Sequence, residues 1–119
     1  DLFRRKSKQQ IPPRVAAVMN YIEKHYAEDI AIDHLAERAG LSASHLHAYF
    51  RTFVKVTPHQ YLIQQRMQAA RHSLATTNTP IKALAREVGY ANTEHFCRAF
   101  KRNFGMTAAE YRYKYMVYK

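Results

Sequence analysis

The chain has 119 residues, 47% of them hydrophobic, which supports one small domain or two subdomains sharing a helix and excludes the large cofactor-binding folds. Nineteen Lys and Arg against nine Asp and Glu give a formal charge of +10, the electrostatic footprint of a protein that meets a polyanion, with nucleic acid the first candidate. The single cysteine, Cys97, excludes an intrachain disulfide, and no apolar run approaches the roughly 20 residues of a membrane span.

No secretory or transit-peptide pattern is present, so a cytoplasmic protein is expected. The first residue is not Met, and a longer natural polypeptide is expected. Residues 1–11 carry Arg4, Arg5, Lys6 and Lys8 with almost no apolar periodicity, which suits a flexible basic linker or arm. Pro12 and Pro13 then open a helix in which Val15, Val18, Met19, Ile22 and Tyr26 recur at helical spacing and form a packing stripe.

Ile32 to Ala39, ending at Gly40, is a short helix with a thin apolar face of Leu35, Ala36 and Ala39. Ser42 is a good N-cap for the next helix, where Leu46, Phe50 and Phe53 make the buried stripe and Ser44, His47, Ala48 and Arg51 face outward. Two helices, a tight turn containing glycine and an exposed polar face on the second helix form a helix-turn-helix signature. Thr57-Pro58-His59-Gln60 has capping-box form, and the longest helix runs from Pro58 to about Thr76 on Ile63, Met67, Ala70 and Leu74. Its rise is about 28 Å at ~1.5 Å per residue, close to the ~34 Å repeat of a DNA major groove.

Thr76-Thr77-Asn78-Thr79-Pro80 supplies turn chemistry, and Pro80 to Val88 followed by Asn92 to Phe104 repeats the two-helix pattern. Asn92 stands at the N-cap and Gly105 at the left-handed C-terminal position. Phe96, Phe100 and Phe104 point inward, whereas Glu94, Cys97, Arg98 and Lys101 share another face at i, i+3, i+4 and i+7. Thr107-Ala108-Ala109-Glu110 is a second capping box, and Tyr111, Tyr115 and Tyr118 at i, i+4 and i+7 read as core packing rather than a base-stacking platform.

The two halves are copies. Phe50, Arg51, Thr57 and Tyr61 map fifty residues on to Phe100, Lys101, Thr107 and Tyr111, while Ile32, Leu35, Ala36 and Gly40 map to Ile81, Leu84, Ala85 and Gly89 with a shift of forty-nine, so one residue is inserted between Gly89 and Phe96. The expected fold is all-α, with seven helices in two helix-turn-helix subdomains, 12–57 and 77–119, joined by a linker helix at 58–76.

Other chemistries fit poorly. His45 and His47 are two apart and diverge on a helix, unlike the i, i+4 pair that clamps zinc, so no metal is expected. Paired carboxylates, a phosphate-cradling glycine loop and a nucleophile–base arrangement are all missing, which argues against an enzyme and against a cofactor. The remaining alternative is a basic helical module that binds a membrane surface or a protein partner.

The repeat, the spacer helix and the stretch GYANTEHFCRAFKRNFGMTAAEYR together resemble the DNA-binding domain of the AraC/XylS family of bacterial transcription regulators, over nearly all of Arg14 to Tyr115. The family motif, roughly G-F-x-S-x-x-x-F-x-x-x-F-K-(R/K)-x-x-G-x-(S/T)-P-x-x-Y-R, is matched by Gly89, Tyr90, Asn92, Phe96, Phe100, Lys101, Arg102, Gly105, Thr107, Tyr111 and Arg112. Two departures stand out. Ala108 replaces the family's proline, and Lys55 occupies the first-repeat position matched by Gly105, which predicts either a positive φ at Lys55 or a different helix end.

The resemblance implies double-stranded DNA as partner, bound in adjacent major-groove segments in the bacterial nucleoid. It also implies contact with RNA polymerase and an upstream effector and dimerisation domain. Family base-contacting positions fall on Ser44, His47 and Ala48 in the first copy and on Thr93, Glu94, Cys97 and Arg98 in the second. Arg98 suits guanine O6 and N7, Glu94 cytosine N4, and Ala48 a thymine methyl. Arg51, Lys101 and Arg102 suit phosphates. His47 suits either a base acceptor or a phosphate; space-filling at the interface is an equal reading for Ser44, Thr93 and Cys97, and for Arg102 the alternative is a solvated helix face.

Overall fold

A computed structural model describes residues 11–116 of the chain. The basic arm expected over 1–11 therefore lies, but for Ile11, outside the described residues, as does Tyr118. Among the described residues there are seven α-helices and no strands: α1 Pro13–His25, α2 Ile32–Arg38, α3 Ala43–Tyr49, α4 Pro58–Thr76, α5 Ile81–Glu87, α6 Thr93–Phe104 and α7 Ala108–Tyr115. The chain divides into two compact units, one of residues up to His25 with Ile30–Ile63, the other of Tyr26–Asp29 with Gln64 onward. The division falls between Ile63 and Gln64, inside α4.

In the first unit the apolar stripes of the helices close on one core of Val15, Val18, Ile22, Leu35, Ala36, Leu46, Phe50 and Leu62. Val15, Val18 and Ile22, and again Leu46 and Phe50, recur at three- or four-residue spacing, which lines each apolar face up along one side of its helix. Four expected core residues of this unit are only half-buried: Met19, Ala39, Phe53 and Ile63. At the start of α4 it is Leu62, 3% exposed, that fills the core in place of Ile63. One residue along a helix turns a side chain by about 100°, enough to move it from the core to its margin.

The second unit packs Met67, Ala70 and Leu74 of α4 against Leu84, Ala85, Val88, Phe96, Ala99, Phe100 and Ala108. Phe100 is the aromatic hub: its ring centroid lies 5.9 Å from Phe96, 4.6 Å from Phe104 and 5.7 Å from Tyr111. The tyrosine stripe of α7 departs from expectation, because Tyr111 is half-buried but Tyr115 is 44% exposed. Eight residues of α7 make little more than two turns, and only its first turn, at Ala108, is buried.

The helix ends follow local chemistry. The Ser42 hydroxyl accepts from His45 N at 3.1 Å, and the Asn92 side-chain oxygen accepts from His95 N at 3.0 Å. Both capping boxes close: Thr57 N donates to Gln60 Oε1 (2.9 Å) and Gln60 N to Thr57 Oγ1 (3.1 Å), while Thr107 N donates to Glu110 Oε1 (2.8 Å) and Glu110 N to Thr107 Oγ1 (3.0 Å). Hydrogen bonding to its carboxylate from the Thr107 backbone N–H, and then from the Thr107 side chain, holds the Glu110 carboxyl below its usual range. At Lys55 both outcomes anticipated from its place in the repeat occur. α3 runs on as a π-helical turn over Phe50–Val54, with Lys55 N donating to Phe50 O at 2.8 Å, and Lys55 takes φ 76°.

Candidate nucleic-acid interface

Each unit presents the second helix of a helix-turn-helix motif, and the two turns are built alike up to one residue. Leu41 N donates to Ala36 O and Tyr90 N to Ala85 O, both at 2.9 Å, which makes Leu41 and Tyr90 equivalent; Ser42 and Asn92 are the equivalent N-caps. The residue added in the second copy is therefore Ala91, in the turn and ahead of α6.

On α3, Leu46 and Phe50 are wholly buried, and Ser44, His47, Ala48 and Arg51 are exposed on the other side. On α6, Phe96 and Phe100 are wholly buried, while Glu94, Cys97, Arg98, Lys101 and Arg102 are exposed and Thr93 is half-buried. The ten side chains singled out from sequence thus lie off the core faces of their helices, seated by a phenylalanine or leucine on the opposite side.

The charge on these faces is available. Among the described residues, none of Arg51, Arg98, Lys101 and Arg102 forms a salt bridge with a carboxylate, although the Lys101 charge acts on the Glu110 carboxyl, so an approaching anion would have no close ion pair to break. Glu94 is the acidic residue in the first turn of α6 and Lys101 and Arg102 are the basic ones in its last turn. Cys97 is an exposed free thiol. Among the described residues no group of His, Cys, Asp and Glu is disposed to hold a metal ion, and no helix is long and apolar enough to cross a membrane.

Two features escaped the sequence reading. His45, Tyr49 and Phe53 form an aromatic ladder along α3 and its π-helical continuation, with centroid separations of 6.2 and 6.3 Å, and Tyr49 is 36% exposed. Their i, i+4, i+8 spacing was the available signal. The second is Arg66, half-buried on α4, whose Nε donates to Tyr26 O at 2.7 Å and whose Nη2 donates to Glu28 O at 3.0 Å. Partners 38 to 40 residues away leave no mark in a local pattern.

Comparison with known proteins places this geometry in a recognisable group. Residues 35–114 match the sequence profile of a helix-turn-helix domain family. The chain is 33% identical over 108 residues to the regulatory protein SoxS of Salmonella typhimurium, covering 91% of this chain and 98% of SoxS. It is 32% identical over 94 residues to the probable transcriptional regulator LumQ of Photobacterium leiognathi, covering 79% of this chain but 38% of LumQ. Among solved structures, the C-terminal domain of AraT, a response regulator from Geobacillus stearothermophilus, superposes with a TM-score of 0.88 at 28% identity, covering 92% of each chain. The DNA-binding domain of the global transcriptional factor AdpA, solved with a target DNA, superposes with a TM-score of 0.82 at 28% identity over 87% of this chain and 94% of that one.

Proposed function

The chain belongs to the AraC/XylS family of helix-turn-helix transcription regulators, and its relatives named above are regulators rather than enzymes; from that premise we propose that it reads double-stranded DNA through the major groove with α3 and α6. The observation that carries the reading is the outer face of α6: Arg98, Lys101 and Arg102 stand exposed and, among the described residues, in no salt bridge, opposite the buried Phe96 and Phe100. Three cations fixed on one rigid helix neutralise phosphates and release counterions, and one of them is left to address a base edge.

In this assignment Arg98 donates to guanine O6 and N7, Glu94 accepts from cytosine N4, and Thr93 and Cys97 border the same base steps. Ser44, His47 and Ala48 form the corresponding edge of the first reader, with Ala48 against a thymine methyl. Arg51, Lys101 and Arg102 hold phosphates and set the register of the domain on the duplex. The subdomains 12–57 and 77–119 act as two readers spaced by the helix 58–76, whose rise of about 28 Å approaches one DNA turn.

As with regulators of this family, the domain acts in the bacterial cytoplasm on nucleoid DNA and meets RNA polymerase there.

Selection of bound duplexes from a random pool, followed by footprinting, tests the assignment. Two protected segments about 10 base pairs apart on one face are expected, and inserting five base pairs between them is expected to abolish joint binding. Retention of all duplexes alike, or indifference to the insertion, would overturn it in favour of a basic module for membranes or proteins.

A further inference from the structure

The turn that launches α6 is seated on a side chain outside the helix-turn-helix motif. Arg66 sits on α4 and spans, with its guanidinium, the carbonyls of Tyr26 and Glu28, at 2.7 and 3.0 Å. The same group lies over the Tyr90 ring, 5.4 Å from its centroid. Behind it, Gly89 approaches so closely that a Cβ there would lie 2.7 Å from Arg66 Nε and 2.9 Å from Tyr26 O, and Gly89 itself takes φ +112°. The backbone of the turn is therefore wedged against one guanidinium, with no room for a side chain between them.

Beyond Arg66 the contacts lead straight to the reading helix. The Tyr90 ring meets Phe96 edge-on at 5.7 Å, and Phe96 is wholly buried on the side of α6 away from Glu94 and Arg98. Among the described residues of the first unit, the equivalent turn has no such seat. Arg14 Nη1 reaches Gly40 O only at 3.5 Å, in an exposed contact, and Leu41 stands where Tyr90 stands.

The geometry points to Arg66 as a positioning residue for base reading by the second helix-turn-helix: it fixes the Gly89-Tyr90 turn and, through Tyr90 and Phe96, the direction in which α6 presents Glu94 and Arg98. This rests on the DNA reading proposed above. The forked, planar guanidinium is what the place requires, since one group must serve two carbonyls and a ring face at once. An ammonium keeps the charge and cannot reproduce that geometry.

The test uses Arg66→Lys in the full chain, with two readouts. Without DNA, hydrogen exchange of the Tyr90 and Phe96 amides is expected to rise about tenfold, with those of Leu41 and Leu46 unchanged. With DNA, discrimination between base pairs in the half-site read by α6 is expected to fall about tenfold, with discrimination in the other half-site and the salt dependence unchanged. Tyr90→Leu, which removes the ring and leaves the carbonyl bonds, should move both readouts the same way to a smaller extent. Unchanged exchange overturns the inference, and so does raised exchange with full base discrimination. A uniform loss over all duplexes with a shallower salt dependence makes Arg66 a phosphate contact instead. A parent chain lacking base discrimination in either half overturns the DNA reading and this inference together, a result distinct from the others because it is seen before any substitution.

Discussion

Lys55 and Gly105 close α3 and α6 in the same backbone conformation, φ 76° and ψ 4°, although only one of them is glycine. A left-handed residue with a Cβ costs about 1–2 kcal/mol, part of which a glycine returns through the greater freedom of its unfolded chain. Lys55→Gly is therefore expected to stabilise the protein by about 0.5–1 kcal/mol in urea unfolding. Gly105→Ala is its mirror. A Cβ at Gly105 meets nothing within 4 Å, so the expected loss of about 1 kcal/mol is purely conformational. A neutral Gly105→Ala would show that the left-handed ends are not under strain.

The Tyr61 hydroxyl donates to Glu23 Oε2 within the first unit. Burial, then the hydrogen bond and charge of Glu23, push the phenol well above its ordinary value. The folded state thus favours the protonated form; the associated stability is complete below the unfolded value near pH 10 and is lost as pH rises beyond it. Tyr61→Phe is expected to flatten the decline of stability between about pH 10 and 12. An unchanged alkaline slope in the variant would remove Tyr61 from the account.

The Tyr90 hydroxyl is buried and makes no well-formed hydrogen bond among the described residues; burial raises its phenol, and the nearby Arg66 guanidinium, at a poor hydrogen-bonding angle over the ring, opposes that rise only in part. Removing an unsatisfied buried donor while keeping the ring leaves the Phe96 contact intact. Tyr90→Phe is expected to be neutral or stabilising by up to about 1 kcal/mol, measured by thermal or urea unfolding. A loss above that size would mean that the hydroxyl has a partner after all.

Lys101 stands exposed in the last turn of α6. As a phosphate contact it should contribute equally on every sequence. Lys101→Ala is expected to weaken binding to all duplexes alike and to lower the slope of log affinity against log salt by about 1. An affinity independent of salt would remove the electrostatic basis of the interface.

Arg98 lies on the exposed face of the same helix, opposite the buried Phe96 and Phe100. Arg98→Ala is expected to cost about 1–3 kcal/mol on the preferred site and to relax preference at one base pair, with non-specific binding little changed. Ala48 is the equivalent position in α3 and cannot make that contact, so the two half-sites should differ there. Competition against every single substitution in the second half-site measures it; equal losses at all positions would make Arg98 a phosphate clamp.

What could be read from the sequence was whatever is governed within about four residues along the chain. The caps at Ser42 and Asn92, both capping boxes, the Gly105 stop and the burial of Leu46, Phe50, Phe96 and Phe100 all follow from i to i+4 geometry, and so does the outward phase of Arg98 and Lys101. The repeat added the departure at Lys55, though not the π turn that accompanies it. Tertiary structure decided matters of margin and of distance. Whether Leu62 or Ile63 enters the core, and whether Phe53 and Tyr115 are covered, depends on where a neighbouring helix lies, because adjacent apolar residues satisfy the same periodicity almost equally well. The seat of the Gly89-Tyr90 turn depends on Arg66 meeting carbonyls of Tyr26 and Glu28, and backbone carbonyls are the same in every residue. No amino-acid letter marks such a partner; only the folded chain brings it into reach.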